Sequence, residues 1–232
     1  MTLLEVEDVH TYYGESHILE GVSLDVDDGE VVALMGRNGV GKTTTIRTIL
    51  QLTPPRSGTV RFRGSDIVDE ETHAVAHRGI GWIPEDRRIF SQLTVEENLR
   101  VAVPDPDEIA EGLGMAYDAF PILEERREQR AGTLSGGQQQ MLALARGLVG
   151  ENDLLLVDEP SEGLAPQIVS TVAESLAKAA TETSMLLVEQ NLPLALDLAD
   201  RFYVLDNGSV ADEGETAEVS ADSDRLRRYL SA

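Results

Sequence analysis

The chain has 232 residues, carries 42 acidic against 19 basic side chains for a net charge of −23, and contains no cysteine. That length can bury a substantial core as one large α/β domain or two small ones, and the missing cysteines exclude a disulfide framework, thiolate chemistry and zinc fingers. The acidic balance, with a pI of about 4.4, argues against a nucleic-acid partner, whose phosphates call for a basic surface.

In chain order, residues 3–9 and 22–26 read as short strands separated by turn residues. Val31-Val32-Ala33-Leu34-Met35 is an apolar run of the kind buried in a parallel sheet. A glycine-rich turn follows, then a helix from about residue 42 to 51, which Pro54-Pro55 should stop. Residues 58–63 look like a strand on a hairpin, and residues 79–83 like another, ended by Pro84.

From about residue 94 the pattern changes. Thr94 with Glu97 three positions later makes a capping-box start for a helix over 95–103. Pro104-Asp105-Pro106-Asp107 breaks it, a second helix runs near 107–119, and 124–129 is dense in charge. With no strand in it, this stretch is expected to be a helical subdomain inserted in the α/β core. An apolar-periodic helix follows at 137–149, then a strand at 154–158, a helix at 166–179, a strand at 185–188, a helix at 192–199 and a strand at 202–205. That alternation predicts a parallel sheet covered on both faces.

The four histidines, His10, His17, His73 and His77, are scattered, and surface positions are expected. The N-terminus lacks a signal pattern and no apolar run approaches the roughly 18 residues of a spanning helix. An intracellular protein that does not itself cross a membrane is therefore expected. Only Lys42 and Lys178 are lysine among the basic residues. Lysine depletion with a spread acidic excess resembles proteins of halophiles, which work where salt screens repulsion.

Three motifs carry the chemistry. Gly36-Arg37-Asn38-Gly39-Val40-Gly41-Lys42-Thr43 fits G-x-x-x-x-G-K-[ST], between an apolar strand and a helix. Its glycines let backbone N–H groups wrap close to phosphate oxygens. Lys42 is placed to reach the β- and γ-phosphates and Thr43, followed by Thr44, to offer a hydroxyl to Mg²⁺. Residues 154–157 form a buried strand that delivers Asp158 and Glu159 to its C-terminal end. Asp158 suits the Mg²⁺ shell, and Glu159 can polarise a water for in-line attack on the γ-phosphate. Ser135-Gly136-Gly137 immediately precedes the third motif's helix, whose free N–H groups and dipole form a second anion site.

Leu134-Ser135-Gly136-Gly137-Gln138 upstream of a strand ending in Asp158-Glu159 resembles the signature of ATP-binding cassette (ABC) proteins. The resemblance covers essentially the whole chain. It implies an α/β P-loop NTPase fold with a parallel-sheet core, an N-terminal antiparallel β subdomain and the inserted helices. One nucleotide-binding domain would span 1–232, with its core at about 1–90 and 135–232 and its helical subdomain at about 91–134. Two cassettes would pack head-to-tail, each signature capping ATP on the other's P-loop. Tyr13, next to Gly14, stands where an aromatic stacks on adenine, and the adjacent Tyr12 leaves the register open.

Residues 82–90 and 93–99, together with Ser161-Glu162-Gly163-Leu164-Ala165-Pro166 and Val188-Glu189-Gln190-Asn191, are similar to the second ATP-binding subunit of branched-chain amino acid importers, the LivF type. Glu85 stands in place of the usual Q-loop glutamine, a position associated with the metal. Ala165 replaces the D-loop aspartate, and Gln190 the switch histidine that contacts the γ-phosphate. The resemblance implies a peripheral ATPase on the cytoplasmic face of the membrane, using ATP and Mg²⁺. Its partners would be a sister ATP-binding subunit, two membrane permease subunits and, indirectly, an extracytoplasmic substrate-binding protein. A urea or amide importer subunit, or a soluble ATPase of the iron–sulfur-assembly type, remains the alternative.

Overall fold

The computed structural model describes residues 1–103, 105–221 and 223–230, so Pro104, one of the expected helix breakers, lies outside the described residues. The chain starts with a long hairpin, β1 (Thr2–Tyr13) and β2 (Ser16–Asp27), and enters the central sheet at β3 (Val31–Met35). The hairpin strands run well past the short segments expected. Their antiparallel register continues from Thr2↔Asp27 to Tyr13↔Ser16 through several irregularities, turning at Gly14. Mixed polar residues hide these strands from an alternation test, because each register shift moves the inward face by one residue.

Helix α1 (Lys42–Ile49) ends before the two prolines expected to stop it. Gln51 adopts a left-handed φ of +56°. The amide of Leu52 then bonds the carbonyl of Arg47 at 2.9 Å, and that of Gln51 the carbonyl of Thr48 at 3.1 Å. This Schellman closure satisfies the terminal carbonyls without a glycine. Strands β4 (Ser57–Phe62) and β5 (Ser65–Asp66), the short helix α2 (Thr72–His77) and β6 (Ile80–Ile83) follow. β4 pairs antiparallel with β1, giving a four-stranded sheet in the order β2-β1-β4-β5.

The helical stretch contains α3 (Val95–Ala102), α4 (Ile109–Ala119) and α5 (Pro121–Glu125). The expected capping box is formed at Thr94, whose amide donates to Glu97 Oε2 at 2.8 Å while its Oγ1 accepts from the Glu97 amide at 3.1 Å. Then come α6 (Gly136–Leu148), β7 (Leu154–Asp158), α7 (Pro166–Ala179), β8 (Ser184–Glu189), α8 (Leu192–Leu198), β9 (Arg201–Asp206), β10 (Ser209–Glu215) and α9 (Asp224–Leu230). The polar strand β10 and the helix α9 escape a hydrophobicity reading. β10 pairs antiparallel with β9 at the sheet edge, and α9 is fastened to it by Arg225, which donates to Asp212 at 2.9 Å.

The central sheet has the order β10-β9-β3-β8-β7-β6 and is parallel from β9 to β6. Its strands divide their side chains between two cores. Val31, Ala33 and Met35 of β3 face one way, with α6, α7 and the inserted helices. Val32 and Leu34 face the other way, with α1 and the hairpin sheet. Two buried faces explain the unbroken apolar runs of the parallel strands. Val95, Leu99, Phe120 and Leu123 of the inserted helices join the same core as the sheet. His73 and His77 are exposed as expected, but His10 and His17 are half-buried and share a ring-nitrogen hydrogen bond of 3.1 Å across the hairpin.

Candidate functional site

The C-terminal ends of β3, β7 and β8 lie side by side in the sheet, with Met35 opposite Glu189 and Asp158 opposite Val188. Everything that leaves those strands meets at one edge, which is how an α/β sheet builds a site. The chain turns from β3 into α1 through the glycine-rich loop. Gly36 must be glycine, since a Cβ there would lie 2.5 Å from the carbonyl oxygen of Leu205. Gly41, the N-cap of α1, has φ +117° and no side-chain cap, and a Cβ would meet Leu19 Cδ2 at 2.7 Å. A helix start without a side-chain acceptor leaves its first N–H groups for an anion.

Lys42 is buried at the base of the loop. Its Nζ donates to the carbonyls of Gly36 and Arg37 at 2.9 and 3.0 Å and pairs with Glu159 Oε1 at 3.0 Å. Thr43 Oγ1 donates to Asp158 Oδ1 at 3.3 Å. Burial pushes the Asp158 carboxyl up to about 6, against the opposing hydrogen bond from Thr43. Glu159 holds a left-handed φ of +46°, and its amide donates to the carbonyl of Val188 at 2.9 Å. A non-glycine residue in that region stores strain of roughly 1 kcal/mol or more and is typical of a site that aims a side chain.

These groups line a cleft of about 380 Å³ bounded by Tyr13, Ile18, Asn38, Gly39, Gly41, Lys42, Thr43, Thr44, Glu85, Glu159 and Glu162. Arg37 and Val40 line a neighbouring hollow on the other side of the loop, with His17 and Asn207. The two tyrosines have different surroundings. Tyr12 is stacked on His17 at 4.1 Å and covered by the Arg56 guanidinium at 4.1 Å, so both its faces are taken. Tyr13 lines the cleft, 42% exposed, with its hydroxyl accepting from Arg47 at 3.3 Å. Burial acts to raise the Tyr13 hydroxyl, but hydrogen bonds to Thr53, Arg47 and Thr44 hold it below its usual value.

The remaining expected residues sit elsewhere. Ser135 is the N-cap of α6, and Gly136, Gly137 and Gln138 form its first turn, so the helix starts one residue earlier than expected. Gln138 folds back, its Oε1 accepting from the Ser135 amide at 3.0 Å, while its own amide donates to Ser135 Oγ at 3.4 Å. None of these four lines the Lys42 cleft. Glu85 is exposed at the cleft rim and hydrogen-bonded to Glu162, which together with burial raises the Glu162 carboxyl. Ala165, as N-cap of α7, provides no side-chain cap. Gln190 is exposed at the end of β8 and does not line the cleft, and the cap of α8 is the next residue, Asn191.

Two acidic residues at or near the cleft were given no role from the sequence. Glu162 lines the cleft directly. Glu189 ends β8 with a carboxylate only 2% exposed. The available signal was a charged residue closing an apolar strand, the pattern that marks Asp158 on β7.

A family model described as ABC transporter matches residues 19–162. The chain belongs to the ABC transporter family. The cassette is 44% identical over 211 residues to the high-affinity branched-chain amino acid transport ATP-binding protein BraG of Pseudomonas aeruginosa, covering 90% of this chain and 91% of the relative. It is 36% identical over 221 residues to the probable branched-chain amino acid transport ATP-binding protein LivF of Archaeoglobus fulgidus, covering 94% of each. Among solved structures it resembles an ATP-binding subunit of an ABC transporter, with a TM-score of 0.82 at 32% identity over 99% of this chain and 95% of that one. An ATP-binding cassette in its ADP conformation matches with a TM-score of 0.81 at 28% identity over the full length of both. The P-loop α/β fold and a nucleotide-hydrolysing activity follow from this membership.

Proposed function

We propose that this ABC ATPase drives the import of branched-chain amino acids, hydrolysing ATP in the Lys42–Glu159 cleft. The ion pair across that cleft, with Asp158 and Thr43 beside it, carries the catalytic part of the reading. The solute is supported by the similarity to BraG and LivF.

Lys42 Nζ pairs with Glu159 Oε1 at 3.0 Å. A triphosphate on the open amides of residues 38–43 would compete for that ammonium and free Glu159 to take a proton from water. The water oxygen forms a bond to the γ-phosphorus as the bond to the β,γ-bridging oxygen breaks, and ADP carries away the electron pair. Tyr13 provides the surface for adenine. Thr43 and Asp158, with Glu85 at the rim, would be the oxygen donors for Mg²⁺. A hard cation held by one or two carboxylates and the phosphates suits this set. When bound, the ion would neutralise charge on the phosphate oxygens. Gln190 can offer an amide hydrogen bond to the γ-phosphate but no titrating group.

The α6 start, with Ser135, Gly136, Gly137 and Gln138, would close over the nucleotide of a sister ATP-binding subunit in a heterodimer. Two membrane permeases and an extracytoplasmic binding protein would complete the machine, with the cassette peripheral on the cytoplasmic face. No helix among the described residues is long and apolar enough to cross a membrane.

Uptake of labelled leucine, isoleucine and valine in cells lacking this gene tests the reading. Uptake should fall, return with the parent chain and stay low with Lys42→Ala. Undiminished amino-acid uptake with lost urea uptake would move the substrate class to amides.

A further inference from the structure

Glu189 lies at the junction of two loops that the cleft depends on, and nothing in the nucleotide chemistry described above uses it. Its Oε1 accepts from the Ser161 amide at 3.0 Å and its Oε2 from the Asn191 amide at 2.9 Å. Ser161 belongs to the turn that begins at Glu159, closed by the Glu162 amide donating to the Glu159 carbonyl at 3.2 Å. Asn191 follows Gln190 and caps α8, its Oδ1 accepting from the Leu194 amide at 3.4 Å. One step back along β8, the Val188 carbonyl accepts the Glu159 amide at 2.9 Å.

We propose that Glu189 is a positioning residue for ATP hydrolysis, its two carboxylate oxygens tying the Glu159 turn to the Gln190 segment in one fixed register. This rests on the assignment of Glu159 as the proton acceptor. A buried carboxylate is costly, and burial pushes this one above its usual range, opposed by its hydrogen bonds to Ser161 and Asn191. Retaining such a group on a strand that otherwise reads Ser-Met-Leu-Leu-Val requires a return that an apolar residue cannot supply. Two acceptors facing two backbone donors supply it. Glutamine has the same shape but only one acceptor oxygen, so its amide nitrogen would face one of the two N–H groups as donor against donor. Aspartate keeps both acceptors on a stem one methylene shorter and reaches one amide, not both.

The left-handed backbone at Glu159 gives the clamp its purpose. A strained residue relaxes unless the flanking chain is held on both sides. The Val188 carbonyl holds Glu159 itself and Glu189 holds the chain two residues on. A displacement of about 1 Å in an attacking geometry is enough to cost about a hundredfold in rate, whereas the P-loop contacts of ATP do not pass through this clamp.

The test compares Glu189→Gln, Glu189→Asp, Glu159→Gln and the Glu189→Gln/Glu159→Gln double variant in the assembled transporter, with the sister subunit's own hydrolytic site silenced. Turnover, ATP affinity and melting temperature are measured for each. Glu189→Gln should lower kcat roughly 10- to 100-fold while KM and ATP affinity stay within about twofold. Glu189→Asp should lose less, and the double variant should be no slower than Glu159→Gln, because both act on one step. Parent-like kcat in Glu189→Gln overturns the proposal. So does a parallel loss of kcat, ATP affinity and melting temperature, which marks a purely structural carboxylate. If Glu189→Gln does not fold, the same split read on Glu189→Asp decides. Parent-rate hydrolysis by Glu159→Gln would instead sink the functional reading beneath it.

Discussion

Two helices of this cassette begin at glycine-rich segments, and they are built in opposite ways. α1 begins at Gly41 with a left-handed φ of +117° and no side-chain cap. α6 begins at Ser135 in extended geometry, with a complete capping box to Gln138. Around α1 a buried lysine and two carboxylates converge, with Lys42 Nζ 3.0 Å from Glu159. The first turn of α6 holds no acidic residue and puts Ser135 and Gly136 at the surface. One start is open and charged. The other is relaxed and satisfied, and offers only the amides that its box leaves over. The difference fits the two roles proposed above, chemistry at α1 and closure over another chain's nucleotide at α6.

The largest effect should come from removing the charge that separates the two starts. Lys42→Ala is expected to lower ATP hydrolysis by at least about a hundredfold, since it removes the cation that tracks the transferred phosphoryl group. A phosphate-release assay that finds near-parent turnover would erase the distinction between α1 and α6.

The carboxylates of the α1 cleft should leave a pH signature that α6 lacks. Asp158 titrates near 6 in the folded protein against an ordinary 3.8. Between those values the folded state holds the proton more tightly than the unfolded chain. The Asp158 contribution is therefore most favourable below about pH 4 and is lost as pH rises through 6. In nucleotide- and magnesium-free protein, Asp158→Asn should raise stability at pH 7 to 8 by on the order of 1–3 kcal/mol. The gain should vanish toward pH 4. Denaturant titrations across that range check it, and a gap independent of pH would assign the effect to packing.

Ser135→Ala should cost about 0.5–1 kcal/mol, the low end of the range for an N-cap because its 3.4 Å bond is long. The cap loss should show in the melting temperature and leave ATP affinity of the isolated chain unchanged. A loss of that affinity would mean that α6 completes its own P-loop site. The mildest expected change is with salt. A net charge of −23 repels across the whole surface, so the melting temperature should rise with KCl toward molar concentrations. The Asp158→Asn difference should survive that screening, because its carboxylate is buried. A melting temperature flat in salt would count against adaptation to high ionic strength.

Local sequence determined what local chemistry decides. The α3 start was legible because Thr94 and Glu97 make their two bonds within one turn. The strands β3, β7 and β8 were legible because burial on both faces demands unbroken apolar runs. Lys42, Thr43, Asp158 and Glu159 were legible because a phosphate cradle and a strand-end acid pair constrain residue type at fixed spacing. What crossed the chain was not. That Tyr12 is covered by Arg56 and His17 while Tyr13 lines the cleft came only from the fold. The polar strand β10 exists because β9 gives it a ladder, and Glu189 acquired its place only when parallel pairing laid β8 beside β7. Hydrogen bonds between residues 28 positions apart, as from Ser161 to Glu189, leave no periodicity in either segment, so only the folded sheet could bring them together.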